Sequence, residues 1–259
     1  MSIDTIVRTG VRPAPVDKPQ QHTLGRTVGL HLLPGVLAVV MYILVTPVMM
    51  RLGYPPLFAA YLVIPATVIV FELGYLLVQG RRQDGLPSLR DVVRYREALP
   101  ARQYAVLVPL LLVAAIVGSA LAMPIDTLLA TRLFAGAPDW LMFRDVPHYG
   151  ALYSRPLLVT TMVVGLAFNG MLGPVVEELY FRGYLLPRLE RLGRWAPLLN
   201  VVLFSLYHVW TPWQFLSRIA VLTPMAYAVW WKRNIYLGVI THSAMNIIAV
   251  LFTFASLLG

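Results

Sequence analysis

The stretch VVEELYFRGYLLPR, residues 175–188, sets two adjacent glutamates and an arginine into an otherwise apolar run. Its reading decides the fold. On a soluble helix, Glu177, Glu178 and Arg182 would be an ordinary polar face. In a membrane span, each ionisable group is costly and marks a functional site by default.

The rest of the chain selects the second reading. Of its 259 residues, 58% are hydrophobic and 13% charged, with mean hydropathy +0.70. Soluble domains carry about a quarter charged residues, and several apolar runs here reach the roughly 20 residues that cross a bilayer core. The sequence predicts an all-α, polytopic membrane bundle of seven, or at most eight, transmembrane helices. Spans are expected near 28–50, 57–79, 103–123, 156–187, 196–211, 214–231 and 235–257. Residues 1–26 read as a polar, disordered, cytoplasmic N-terminus, and 27–259 as one transmembrane domain. No compact signal peptide opens the chain, so the first span is expected to stay as an anchor. The absence of cysteine excludes disulfides, thiolate catalysis and cysteine-type zinc sites.

The net charge of +9 does not point to nucleic acid, because most basic residues fall in loops beside apolar spans. Segment 80–102 carries Arg81, Arg82, Arg90, Arg94, Arg96 and Arg102. Segment 188–194 carries Arg188, Arg191 and Arg194, and Lys232 and Arg233 sit between the last two spans. Seven spans with a cytoplasmic N-terminus place all three on the cytoplasmic side. The expected location is a cell membrane, with the lipid bilayer as the surrounding partner. Within 80–102, the arginines among Leu89, Val92, Val93 and Leu99 predict a short basic helix, either on the membrane surface or solvated.

Helical spacing sorts the buried polar residues. Glu178 and Arg182 are four apart and share a face, as are His242 and Asn246. Phe204 stands one turn before His208. From the expected cytoplasmic span ends, Glu177 lies about 15 Å deep, His208 about 18 Å and His242 about 10 Å. Glu72, about 12 Å deep, is level with them. It either belongs to the same site or hydrogen-bonds a neighbouring helix. His22, His31 and His148 fall outside spans or at their ends and read as interfacial. Pro174, after Gly170 and Gly173, should kink its span.

Peptide hydrolysis needs an activated water and a stabiliser for the tetrahedral oxyanion. Glu177 with His208 suits the first task, and His242 with Asn246 the second. Glu178 and Arg182 would orient the base and balance charge. Glu177, His208 and His242 could alternatively hold a divalent metal such as zinc with an open water position, although H-E-x-x-H is absent.

E-E-x-x-x-R (Glu177, Glu178, Arg182), F-x-x-x-H (Phe204, His208) and H-x-x-x-N (His242, Asn246), in order on three spans, resemble the CAAX-protease and bacteriocin-processing family. That family includes the Rce1-type prenyl-protein endopeptidases. The resemblance covers roughly 156–257. It implies an intramembrane hydrolase acting on a peptide or protein substrate with a membrane-associated cleavage site. By motif, Glu177 and His208 activate water and His242 and Asn246 form the oxyanion site. Members are often labelled metalloproteases, and a metal-free glutamate mechanism is also argued for them.

Four other readings compete. Glu178–Arg182 and the histidines could be purely structural links between helices. A proton-coupled transporter would need a polar path to the far face, where the spans are apolar. A bis-histidine haem site does not suit two adjacent carboxylates. A catalytically idle immunity or scaffold protein would also keep the fold.

Overall fold

A computed structural model of the chain describes residues 19–258. Its elements are helices: α1 (Leu24–Arg51), α2 (Pro56–Asp84), α3 (Ala101–Arg132), the short α4 (Asp139–Met142) and α5 (Tyr149–Leu152), α6 (Arg155–Val164), α7 (Gly173–Glu177), α8 (Ala196–Tyr207), α9 (Phe215–Lys232) and α10 (Ile235–Leu258). Among the described residues the only β pairing is one bridge, Arg96 with Asn234. Prolines start α2, while Gly85 (φ 74°) closes it in the left-handed region open to glycine. Thr23 caps α1, its side chain accepting from the Arg26 N–H at 3.3 Å.

Among the described residues, five helical stretches are long and apolar enough to cross a membrane: Leu24–Arg51, Pro56–Asp84, Ala101–Arg132, Arg155–Tyr207 and Ile235–Ala255. The expected seven become five by that measure. Arg155–Tyr207 joins two expected spans, yet they are separate rods, because Gly193 breaks the chain with φ 53° and ψ −128°. Beyond the break, α8 has only 12 residues, about 18 Å of rise. α9 has 18 residues and carries both Arg218 and Lys232.

α3 turns almost all of its surface outward, with only 11% of its most apolar window buried. Val106, Leu110, Val113, Val117 and Leu121 are exposed along it. So broad an apolar surface suits lipid and not water. The core is aromatic instead: Tyr42, Tyr180, Phe181, Tyr184, Phe204 and Tyr207 are all buried in one cluster. α1 reaches this core closely at Gly35, where an added Cβ would stand 2.0 Å from the Tyr207 carbonyl oxygen.

Segment 155–195 is not a plain α-helix. Wide i→i+5 turns run over Gly165–Leu172 and again over Glu178–Leu185, on either side of the five-residue α7. The Gly173 N–H donates to the Phe168 carbonyl and the Leu186 N–H to that of Phe181. Pro174 has no N–H to give, and the expected kink is realised as this widening of the turn before it. Such π turns recur at functional sites.

The three basic segments meet on one face. The Arg94 N–H donates to the Gly183 carbonyl (2.8 Å), the Glu97 N–H to Arg233 (3.0 Å) and the Ile235 N–H to Tyr95 (2.7 Å). Glu190 accepts from the Tyr95 hydroxyl at 3.0 Å and pairs with Arg233. The basic helix expected within 80–102 is not formed beyond Asp84. Residues 85–100 are an irregular loop whose Val92, Val93 and Tyr95 are buried. Apolar residues read as one side of a surface helix are plugs in the bundle.

Residues 1–18 of the expected disordered N-terminus lie outside the described residues. From residue 19 the chain is pinned. The His22 N–H donates to the Arg188 carbonyl and Gln21 Nε2 to that of Pro187, both at 3.1 Å, and the Arg191 N–H donates to Gln21 Oε1 at 3.1 Å. His148 is exposed, as an interfacial residue would be. His31 corrects the reading of it as interfacial: it is fully buried. Its Nδ1 donates to the Thr27 carbonyl (2.7 Å), and its Nε2 accepts from Asn200 Nδ2 (3.0 Å).

Candidate active site

Segment 155–195 carries both glutamates at the junction of α7 and the second π stretch. Glu178 and Arg182 are fully buried, with Arg182 Nη1 3.1 Å from Glu178 Oε1. The guanidinium also lies 4.2 Å over the Phe204 ring of α8, a cation–π contact that replaces lost hydration on that side. Glu178 Oε1 accepts a second contact, 3.0 Å from His242 Nδ1 of α10. This partner fixes the tautomer, with the proton on Nδ1 and the lone pair on Nε2.

α10 can come so near because residue 238 is glycine. An added Cβ there would stand 2.5 Å from Glu178 Oε2. Gly238 and His242 are four apart and share a face.

Glu177 turns the other way. Its Oε1 accepts from the Tyr207 hydroxyl at 3.0 Å, and its Oε2 lies 3.8 Å from His242 Nε2. Thus Glu177, Glu178, Arg182 and His242 form one cluster. The Phe204 ring of α8 lies beside it, 6.0 Å from that of His242.

His208 and Asn246 relate to it differently. His208 lies one residue past the end of α8, not inside a span helix. Its Nδ1 donates to the Phe204 carbonyl at 2.9 Å, and its ring rests 4.7 Å from that of Phe204 and 4.7 Å from that of Trp210. Its contacts are with aromatic rings, and the imidazole beside Glu177 is that of His242. Asn246 Nδ2 donates to the Asn169 carbonyl of the first π stretch at 2.9 Å, so an oxyanion role would require that bond to yield.

Tyr207 escaped the motif reading. Its only signal was its place beside His208. Glu72 does join the site's surroundings: fully buried, it stands against Tyr207 and within electrostatic range of Glu177, Glu178 and Arg182. Neither of its oxygens has a hydrogen-bond partner among the described residues. Arg218 of α9, also unremarked from sequence, donates to Thr211 Oγ1 (2.6 Å) and Gln214 Oε1 (3.2 Å).

The donors do not fit a three-ligand metal centre. Among the described residues no three His, Asp or Glu side chains converge as a metal-holding group. The Nδ1 contact with Glu178 would leave His242 Nε2 as a ligand atom, so what is missing is the convergence of a third donor on the Glu177–His242 pair.

Apolar helices around a buried acid–imidazole cluster define an integral membrane protein with a polar centre inside it. Residues 158–248 match the family model of the type II CAAX prenyl endopeptidase Rce1-like domain. This region holds all seven motif residues from Glu177 to Asn246 and is similar to that domain, whose family is one of proteases. The resemblance read from the three motifs is borne out. Neither the curated proteins nor the solved structures contain a match.

Proposed function

We propose that the protein is an intramembrane endopeptidase that hydrolyses a peptide bond of a membrane-associated substrate. The observation that carries this is the pairing of two anchored groups. Glu177 is fixed at Oε1 by Tyr207, and His242 at Nδ1 by Glu178, while the remaining atoms, Oε2 and Nε2, stand 3.8 Å apart. A water off that line can touch both at hydrogen-bond length. Each group has its orientation settled before substrate arrives, which lowers the cost of organising the reaction.

Glu177 takes one proton from this water as its oxygen attacks the carbonyl carbon. The same proton then passes to the amide nitrogen as the C–N bond breaks. His242 Nε2 accepts from the water in the resting state. A proton drawn from solvent onto Nε2 as negative charge develops lets it donate to the oxyanion, and that proton returns to solvent as the carbonyl re-forms and the products leave; Asn246 completes that donor set after leaving Asn169. Arg182 balances the charge of Glu178. His208, on the turn after α8, would contact the substrate. By the positive-inside rule the joined basic loops are cytoplasmic, as is the N-terminus, and the site opens inward.

The experiment compares membrane proteomes of cells carrying the native protein or Glu177→Ala. Membrane-associated substrates should accumulate uncut in the variant, and the purified native protein should cut them at one bond. Indistinguishable proteomes, with no cleavage by purified protein, would remove the reading.

Tyr207→Phe tests the anchoring of the base. It deletes one hydroxyl in a fully buried site and should lower kcat about tenfold, the value of a hydrogen bond to a charged group, with KM nearly unchanged. An equal fall in thermal stability and activity would show a merely structural role. Glu72→Gln keeps the shape beside Tyr207 and should shift the pH–rate profile; an identical profile would detach Glu72 from the site.

A further inference from the structure

A cavity of about 270 Å³ opens at the face where the basic loops meet. It lies between the start of α1, the end of α2, the 85–100 loop and the end of segment 155–195. Arg26, Arg94 and Arg188 line it together with His22, Gln79 and Gln83. Among the described residues no carboxylate lines it. Three guanidiniums around one space without an acid repel one another, and the cost grows as they lose water.

The side chains are held ready for a ligand. Arg188 is 5% exposed; its Nη1 donates to the Tyr184 carbonyl at 2.8 Å, and its plane lies 3.7 Å over the Tyr184 ring. Arg26 Nη2 reaches the Tyr75 hydroxyl at 3.5 Å. Arg94 Nε and His22 Nδ1 are buried with no partner. Burial, then the charges of Arg26 and Arg188, hold the His22 imidazole down at about 4, so at neutral pH it is a neutral donor or acceptor. Unpaired donors and unneutralised cations in one cavity call for an anion with several acceptor oxygens. Guanidinium forks match phosphate oxygens two at a time. Basic pockets between helices at the membrane face suit lipid headgroups.

We propose that this cavity is a phosphate site, filled by the headgroup of an anionic phospholipid or by free phosphate. Binding would tie the start of α1 to the end of segment 155–195, the segment that carries Glu177. The site does not depend on the proteolytic reading.

The test uses the full chain in nanodiscs of phosphatidylcholine and follows thermal unfolding. One arm adds phosphatidic acid to the lipid; the other adds inorganic phosphate at constant ionic strength. Stabilisation in the lipid arm alone assigns a headgroup, and stabilisation in both shows that the phosphate group suffices. Arg94→Gln and Arg26→Gln should each weaken the apparent affinity about tenfold. Arg26 is exposed, so its variant should fold normally. Arg82→Gln, exposed near the same face but outside the cavity, should respond like the native protein. No stabilisation in either arm would overturn the proposal, as would equal losses in all three variants, which would mark diffuse charge attraction.

Discussion

Glu177→Gln is expected to lower turnover by about 10²–10⁴-fold, the range for losing a positioned acid–base group, while the protein still folds. The carboxamide keeps the volume of the side chain, and its oxygen can still accept from Tyr207. Only the capacity to take a proton from water is removed. The comparison with His242→Gln is informative, because His242 has two partners. It should lose turnover to a similar degree and also some stability, since Glu178 would lose its imidazole contact at 3.0 Å. Single-turnover cleavage and thermal unfolding on the same preparations separate the two effects. Near-native turnover by Glu177→Gln would end the glutamate mechanism.

The largest effect on stability should come from Arg182→Met. Arg182 and Glu178 are both fully buried, and removing one member leaves the other as an uncompensated charge. Breaking such a pair costs about 3–5 kcal/mol. Methionine fills most of the arginine's volume, so little of the loss would be a cavity. Glu178→Gln with Arg182→Met removes both charges together and should recover much of the stability, though not the activity. Unfolding of the single and double variants in one detergent gives the comparison. A single variant as stable as the native protein would show that the pair carries no net charge interaction.

Glu178–Arg182 was legible because one turn of helix puts residues four apart on one face, and 3.1 Å between them bears that out even within a π turn. The order of the motifs was legible too, since each spacing belongs to a single helix. What lay between helices was not. Nothing in F-x-x-x-H shows that α8 ends at Tyr207, which leaves His208 on the following turn with its Nδ1 on the Phe204 carbonyl. The π turns depend on the missing N–H of Pro174 and on packing around it, and local pattern specifies only a kink. Leu89, Val92 and Val93 with interspersed arginines mimic an amphipathic surface helix; that they plug the bundle depends on Gly183, where Val93 leaves no room for a Cβ (2.6 Å). Gly238 held a usable signal, for a glycine four residues before His242 marks where another side chain crosses α10.

The brevity of α8 bears on the supply of the second reactant. At about 18 Å of rise, α8 is too short to cross a hydrocarbon layer of about 30 Å, so in a bilayer entered at its start the turn over 208–214 would sit part-way through. Backbone there is tolerated only against protein or water. Some groups close on one another: the Val209 N–H donates to Tyr207, Thr211 to His208 and Gln214 to Thr211. The turn also carries Arg218's partners, Thr211 and Gln214. A charged, hydrogen-bonded hairpin at that depth would thin the oil around it and draw in solvent beside His208. Hydrolysis consumes one water per bond cut, and a dent in the bilayer at α8–α9 would deliver it.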